Sequence, residues 1–295
     1  MSIIRFSREH LVRLTPKVVL PFVLACAAVT MTSAQQAKFK SVHPPGSTYT
    51  TTLSINNSAS MAVGAFVDSS NSVMNGFAFD GAKYRVIHYP GSINFTIATG
   101  VNKLNVVVGV YVGSDTLNHG FLLKGKTFRR YDAEQGLGTA LSGINDLGNL
   151  IGNVGYNGDV RGFLDIGGTI TQFDAASDSL ATYPQAINNS NQIVGMYIDS
   201  AFNAHCFFRD SDGSTQKIDY PGSNTTSCLG INDFGVISGF YQDHLDNAHG
   251  FVGTLGDLKT TVLPVASGIN NGGTYVGYYV GQDGVTYGFV RKPGQ

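Results

Sequence analysis

Along residues 142–174 the apolar and polar positions alternate in short runs broken by turn residues, and the same arrangement returns through most of the chain. Ser142-Gly143-Ile144 leads into Asn145-Asp146-Leu147-Gly148 and then Leu150-Ile151-Gly152. The Asn and Asp side chains can bond their own backbone and the glycine tolerates positive φ, so this segment predicts a hairpin joining two strands, A and B. A third strand, C, is expected at 161–165, a turn at Gly167-Gly168, and a fourth strand, D, at 169–174, where polar and apolar residues alternate.

The hairpin signal is one of six. An Ile/Val-Asn pair recurs at Ile55-Asn56, Val101-Asn102, Ile144-Asn145, Ile187-Asn188, Ile231-Asn232 and Ile269-Asn270, at spacings of 46, 43, 43, 44 and 38 residues. Each is followed by a glycine (Gly64, Gly109, Gly152, Gly195, Gly239, Gly277) and then a phenylalanine (Phe77, Phe121, Phe163, Phe207, Phe251, Phe289). Four strands in about 43 residues is the size of a propeller blade.

The two ends of the repeat region do not coincide with the ends of a unit. Residues 37–47 match residues 82–92, the D strand of the first full unit, whereas the sixth unit runs through Tyr287-Gly288-Phe289-Val290-Arg291 without a D strand of its own. An open solenoid gains nothing from such a displacement, while a ring can use the leftover strand to complete its last unit. The expected fold is therefore all-β: a six-bladed β-propeller of four-stranded antiparallel blades, closed by the N-terminal strand. The single domain spans 35–295, with blades at about 47–90, 91–134, 135–175, 176–221, 222–264 and 265–292, plus strand 37–45. A parallel β-helix is the alternative, but its coils are usually shorter and do not call for repeated hairpins.

The repeat resembles that of the HAF-type extracellular repeat proteins, named for a His-Ala-Phe-like signature after an Ile-Asn…Gly-x-Ile-Val-Gly-x-Tyr segment. The matching residues are Ile187-Asn188, Gln192-Ile193-Val194-Gly195-Met196-Tyr197 and the triplets His119-Gly120-Phe121 and His249-Gly250-Phe251. Three copies depart from the signature, with Asn75, Arg161 and Tyr287 in place of the histidine. The resemblance implies bacterial secretion and a repeat-built β fold; it carries no activity.

Residues 1–34 read as an address. Four basic side chains in 1–17 precede an apolar run at 18–30 and the small residues Thr32-Ser33-Ala34, the pattern of a secretory signal peptide. The run is shorter than the roughly 20 residues of a spanning helix, so no membrane span is expected in the mature chain. Val23-Leu24-Ala25-Cys26 resembles a lipoprotein cleavage box, which makes a lipid anchor on Cys26 the second expectation for a secreted, periplasmic or cell-surface protein. Cleavage at 34 leaves Cys206 and Cys228, and an oxidising compartment permits a disulfide between them.

Of 295 residues, 42% are hydrophobic and 37 are glycine, enough for a buried core with frequent tight turns and without the Gly-X-Y period of collagen. Removing residues 1–34 takes away Arg5, Arg8, Arg13, Lys17 and Glu9 and leaves 15 basic and 19 acidic side chains, a net charge of −4 that argues against a nucleic-acid partner. The chain contains no P-loop, dinucleotide fingerprint, Gly-x-Ser-x-Gly elbow, His-Glu-x-x-His or Cys-x-x-Cys, and no catalytic residue is assigned.

Three sets of residues remain as candidates for binding. His119, His205 and His249 share one repeat position; convergence on an axis would make a metal or proton-transfer site, but a position that also takes Asn, Arg and Tyr reads better as a loop-to-strand hydrogen bond. Asp68, Asp115, Asp159, Asp199, Asp243 and Asp283 recur between strands B and C, where a carboxylate ring would suit Ca²⁺ or an acid–base pair, though turn chemistry demands the same residues. Phe95 and Tyr183 in D-to-A connections and Phe202 in a B-to-C connection break the repeat, as aromatics on a sugar-binding surface would. No cofactor beyond that Ca²⁺ is implied. The leading expectation is a monomeric binding propeller that recognises a polysaccharide or an envelope protein through its loop face. A carbohydrate hydrolase or lyase with an axial carboxylate site is the alternative by fold analogy, and a purely structural envelope component is the third.

Overall fold

The computed structural model describes residues 39–156, 159–262 and 265–294. The expected signal segment and Cys26 lie outside the described residues, as do positions 37 and 38 of the expected first strand. The described chain is all β. Sheet one holds β2 (Ser47–Ile55), β3 (Ala62–Asp68), β4 (Met74–Phe79) and β5 (Tyr84–Ile87), and sheet two β6 (Thr96–Val101), β7 (Val107–Val112), β8 (Asn118–Lys124) and β9 (Thr127–Tyr131). Sheet three holds β10 (Gly138–Ile144), β11 (Leu150–Tyr156), β12 (Asp159–Ile166) and β13 (Thr169–Phe173), and sheet four β14 (Ala181–Ile187), β15 (Ile193–Ile198), β16 (Ala204–Arg209) and β17 (Thr215–Ile218). Sheet five is β18 (Thr225–Ile231), β19 (Ile237–Gln242), β20 (Ala248–Thr254) and β21 (Asp257–Thr260). The last four-stranded unit contains β22 (Val265–Ile269), β23 (Tyr275–Val280) and β24 (Thr286–Arg291), and β1 (Lys40–Val42) pairs antiparallel with β24, Ser41 opposite Phe289; single parallel pairings, Tyr49 with Thr286 and Val160 with Ala181, connect this unit to sheet one and sheet three to sheet four. Among the described residues no helix is long and apolar enough to cross a membrane.

The glycine and the phenylalanine of each repeat are direct cross-strand partners. Gly64 faces Phe77, Gly109 Phe121, Gly152 Phe163, Gly195 Phe207, Gly239 Phe251 and Gly277 Phe289. A Cβ on any of these glycines would collide with the backbone carbonyl of the A strand on one side and stand 2.6–3.0 Å from the phenylalanine ring on the other. The missing side chain therefore lets the ring lie across the B strand, and all six rings are fully buried. Every A strand also carries a bulge near its end, at Thr52/Ser54, Ala98/Gly100, Leu141/Gly143, Pro184/Ala186, Cys228/Gly230 and Ala266/Gly268.

The repeated asparagine shapes its own turn and joins neighbouring sheets. Asn145 Oδ1 accepts from Leu147 N (3.1 Å) and Asn149 N (2.9 Å), and Gly148, at φ 88°, closes the turn by donating to the Asn145 carbonyl. Its Nδ2 then donates to the Asn188 carbonyl of the next sheet at 3.1 Å. The same bond runs from Asn102 to Asn145, Asn188 to Asn232, Asn232 to Asn270 and Asn270 to Asn56. A second series uses the following residue: the backbone N–H groups of Lys103, Asp146, Asn189, Asp233 and Asn271 donate to Asp146, Asn189, Asp233, Asn271 and Asn57. Sheet six is thus bonded to sheet one by the same contacts that join sheets two to six to one another. These turns surround a narrow central cavity of about 80 Å³.

Cys206 and Cys228 are joined, with Cα atoms 5.3 Å apart. Cys206 stands where other C strands carry Gly76, Gly120, Gly162, Gly250 and Gly288, a position where a Cβ would press on the A strand of the next sheet at Ala98, Leu141, Pro184 or Thr52. The bridge occupies that close approach between sheets four and five.

Candidate functional site

The ends of the sheets opposite the asparagine turns carry the polar side chains singled out from the sequence. They do not meet at a common point. Each sheet has its own cluster, drawn from an acid of the B-to-C turn, a side chain on the C strand and the residue after the D strand, with all three joined in sheets two and four and two of them joined in each of the others. In sheet two His119 Nε2 lies 2.9 Å from Asp115 Oδ1 and Nδ1 lies 2.7 Å from Asp132 Oδ1, with Arg130 Nε donating to Asp132 Oδ2 at 2.6 Å. In sheet four His205 stands between Asp199 and Asp219, each 3.0 Å away. His249 Nε2 lies 2.9 Å from Asp243 Oδ2 in sheet five.

The remaining sheets exchange the residue types. In sheet one Asn75 Oδ1 meets His88 Nδ1 at 2.9 Å, so the imidazole has moved from the C strand to the end of D. In sheet six Tyr287 donates to Asp283 Oδ2 at 2.7 Å, and the His43 ring, which follows β1, packs at 4.6 Å from the Tyr287 ring. Sheet three pairs Arg161 with Asp159 at 3.5 Å. The histidines therefore tie loop to strand within a sheet, and the axial convergence considered for them does not occur. Nor do the six aspartates form a shared carboxylate ring: among the described residues no group of three or more His, Cys, Asp or Glu is set to hold a metal ion, so the Ca²⁺ expectation finds no donor cluster.

The turn backbone explains the aspartates. Asp199 Oδ1 accepts from Ala201 N and Asn203 N, Asp243 Oδ1 from Leu245 N and Asn247 N, Asp115 Oδ1 from Leu117 N and Asp68 Oδ1 from Ser70 N. Each bond favours the charged carboxylate. The hydrogen bond from His249, followed by those from Asn247 and Leu245, holds Asp243 far below the usual carboxylate range, and Tyr287 and Ser70 lead the same effect at Asp283 and Asp68. Burial raises Asp115 and Asp199, but their partners outweigh it and leave both lowered.

This sets a pH dependence. The folded values lie below the ordinary 3.8, so the stability contributed is complete above that value and is lost as the pH falls through the depressed folded values. Urea unfolding is expected to show a lower midpoint at about pH 2.5 than at about pH 5. An unchanged midpoint would mean that the clusters add nothing to the folded state.

The three aromatics do not form a surface together. Tyr183 is not in a connection: it lies within β14 and is 7% exposed, because the A strand continues upstream through Pro184. Phe95 does precede β6, but it is half-buried against Ala65, Ile97 and Val110. Phe202 takes the left-handed position of its turn, φ 67°, and is half-buried against Val160, Ala181, Tyr183 and Met196. The aromatics that do accompany the polar clusters are tyrosines at the seams. Tyr89 stacks on Tyr111 at 3.7 Å beside His119, and Tyr220 on Tyr241 at 3.8 Å beside His249, where both hydroxyls reach Thr260 Oγ1. The pairing joins a strand-B tyrosine of one sheet to a residue that follows the D strand of the sheet before it, a contact that exists only once neighbouring sheets are placed together.

No family model matches the chain, and no curated protein matches it. Solved structures do. TolB from Acinetobacter baumannii is similar at a TM-score of 0.58 with 12% identity, over 80% of this chain and 66% of that one. AofleA from Arthrobotrys oligospora follows at 0.54 with 13% identity, over 86% and 87%. The fungal lectin of Aleuria aurantia, described as a six-bladed β-propeller with a novel mode of fucose recognition, superposes at 0.51 with 11% identity, over 84% and 93%. The fold is that of a β-propeller. In propeller terms each sheet is a blade, the A strands line the central channel, and the His, Tyr and Asp clusters decorate the face that carries the B-to-C and D-to-A loops.

Proposed function

We propose that this is an exported carbohydrate-binding propeller of the HAF-type repeat class, a ring of six blades closed by β1, that takes a polysaccharide on its loop face. The observation that carries the reading is the state of the loop-face carboxylates. Hydrogen bonds from their own turns and from His119, His205, His249 and Tyr287 keep them ionised and fixed, so they can accept bonds from sugar hydroxyls and are ill suited to deliver a proton as a general acid. The partly exposed Tyr89 and Tyr220, each stacked on a strand-B tyrosine, stand beside two of these acceptors, a combination of apolar ring and fixed acceptor that suits a saccharide. Sugar recognition by a propeller of similar fold, the fucose-recognising lectin, agrees with this. The Cys206–Cys228 bridge agrees with export to an oxidising compartment.

The test is retention of the protein on an array of bacterial and plant polysaccharides, with and without chelator, while released sugars are assayed. Selective binding without release, weakened by Asp115→Asn or Asp243→Asn, is the expected result. Sugar release abolished by either substitution would replace the reading with a hydrolase, and binding to no polysaccharide would sink it.

A further inference from the structure

The charged side chains are unevenly spread over the molecule. Residues 39–134, which make β1 and blades one and two, carry eight basic and five acidic side chains, whereas residues 135–294 carry six and fourteen. Much of the basic excess gathers at one place. In an antiparallel blade the A–B and C–D turns fall at the same end, here the face opposite the loop clusters. Lys83 stands in the C–D turn of blade one, Lys124 and Lys126 bracket Gly125 in that of blade two, and Lys103 lies in the A–B turn of blade two. Two further cations draw these turns together across the seams: Lys40 Nζ donates to the Gly81 carbonyl, and Arg85 Nη1 donates to the Gly125 carbonyl at 2.8 Å.

All six cations are exposed, and none forms an ion pair among the described residues. Asp80, the acid set among them, has its Oδ1 occupied by the N–H groups of Ala82 at 2.9 Å and Lys83 at 2.7 Å. Lysines elsewhere are matched: Lys217 stands 3.2 Å from Asp219 and Lys259 3.2 Å from Asp257. On the same face, blades three to five carry Asp165, Asp210, Asp212 and Asp257, so the positive charge is confined to one side of it. Beside the cations the A–B turn tips present Leu104, 63% exposed, and Leu147, 66% exposed. β1 begins on this face as well, Lys40 opposite Val290 near the end of β24, so the preceding chain with its apolar run 18–30 joins the blades there. Unpaired cations are drawn to anionic headgroups, and apolar tips and segments enter the headgroup boundary. A soluble polyanion would engage the cations alone.

We propose that the edge of this face formed by β1 and blades one and two docks on an anionic lipid bilayer, which leaves the loop face turned away from the membrane. The proposal is independent of the ligand taken on the loop face. Sedimentation of the full chain with vesicles tests it, comparing pure phosphatidylcholine with equal parts of phosphatidylcholine and phosphatidylglycerol. Binding is expected to be stronger on the mixed vesicles, with the excess lost in about 1 M salt, where the screening length is about 3 Å. Lys124→Gln with Lys126→Gln is expected to weaken binding to the mixed vesicles about tenfold or more. Lys217→Gln with Lys259→Gln removes the same charge from paired positions in blades four and five, and should leave that binding within about twofold of wild type. All four lysines are exposed, so both double variants should keep the thermal midpoint of the wild-type protein. Equal binding to the two kinds of vesicle, or an equal loss in the two double variants, would overturn the proposal. Retention of alginate, a soluble polyanion, without any preference for the mixed vesicles would also overturn it and give this face to an acidic glycan.

Discussion

Phe163→Ala is expected to lower the unfolding free energy by about 3–5 kcal/mol, and Gly152→Ala by about 2–4 kcal/mol, measured by equilibrium urea denaturation. The two residues are one contact seen from opposite strands. Phe163 is fully buried and lies across the backbone of β11 at Gly152, so its removal leaves a cavity walled by Val108, Leu141, Leu150, Val154 and their neighbours, strands too firmly paired to collapse into it. Adding a methyl to Gly152 does the reverse. The new Cβ would collide with the Ala140 carbonyl and stand 2.8 Å from the ring, and the carbonyl cannot retreat without breaking the β10–β11 ladder. The double variant discriminates the mechanism: if ring and glycine act through the same space, Gly152→Ala should cost much less once Phe163 is already alanine. Additive losses would mean that the two residues serve separate purposes.

Reducing the Cys206–Cys228 bridge is expected to cost about 3 kcal/mol, as read from urea curves with and without reductant or from Cys228→Ala. The bridge closes a loop of 22 residues that contains all of β17, so its main effect is to restrict the unfolded chain. It also pins the fourth blade to the fifth at their tightest approach. Loss of the bridge should thus lower stability while preserving the folded circular-dichroism spectrum, because Val194, Phe208, Ile231 and Phe251 pack around the same seam. A variant that loses its native spectrum outright would show that the bridge is needed to form the seam and not only to stabilise it.

What was legible in the sequence was whatever each blade must repeat. The Asn-turn, the glycine and the phenylalanine recur because each hairpin needs the same side-chain acceptor and each ring needs the same bare strand beneath it. Residues 37–47 could be matched to a D strand for the same reason, and of these β1, Lys40–Val42, does pair with β24. Residues that satisfy one another by exchange were not legible. Asn75 with His88 performs the task of His119 with Asp132, and a search for one constant residue type passes over a pair that trades places. Tyr183 was misplaced because the proline after it reads as a strand end, whereas Pro184 sits at the bulge where a ladder N–H is dispensable. Phe202 was read as exposed because it occupies a turn; its left-handed backbone instead directs the ring onto Tyr183.

The inner stitching between neighbouring sheets has one uneven joint. From the second blade onward to the first, each asparagine reaches the backbone carbonyl of the next, but Asn56 reaches the side chain of Asn105 instead, and Lys103 stands where every other turn presents an amide or carboxylate acceptor to its neighbour. On the outer side of that same joint Tyr89 and Tyr111 are stacked face to face. That joint is therefore tied through side chains on both its inner and its outer edge, where the five others are tied through backbone groups of the asparagine turns, so a substitution at Asn56 or Asn105 loosens one joint and leaves the others as they are.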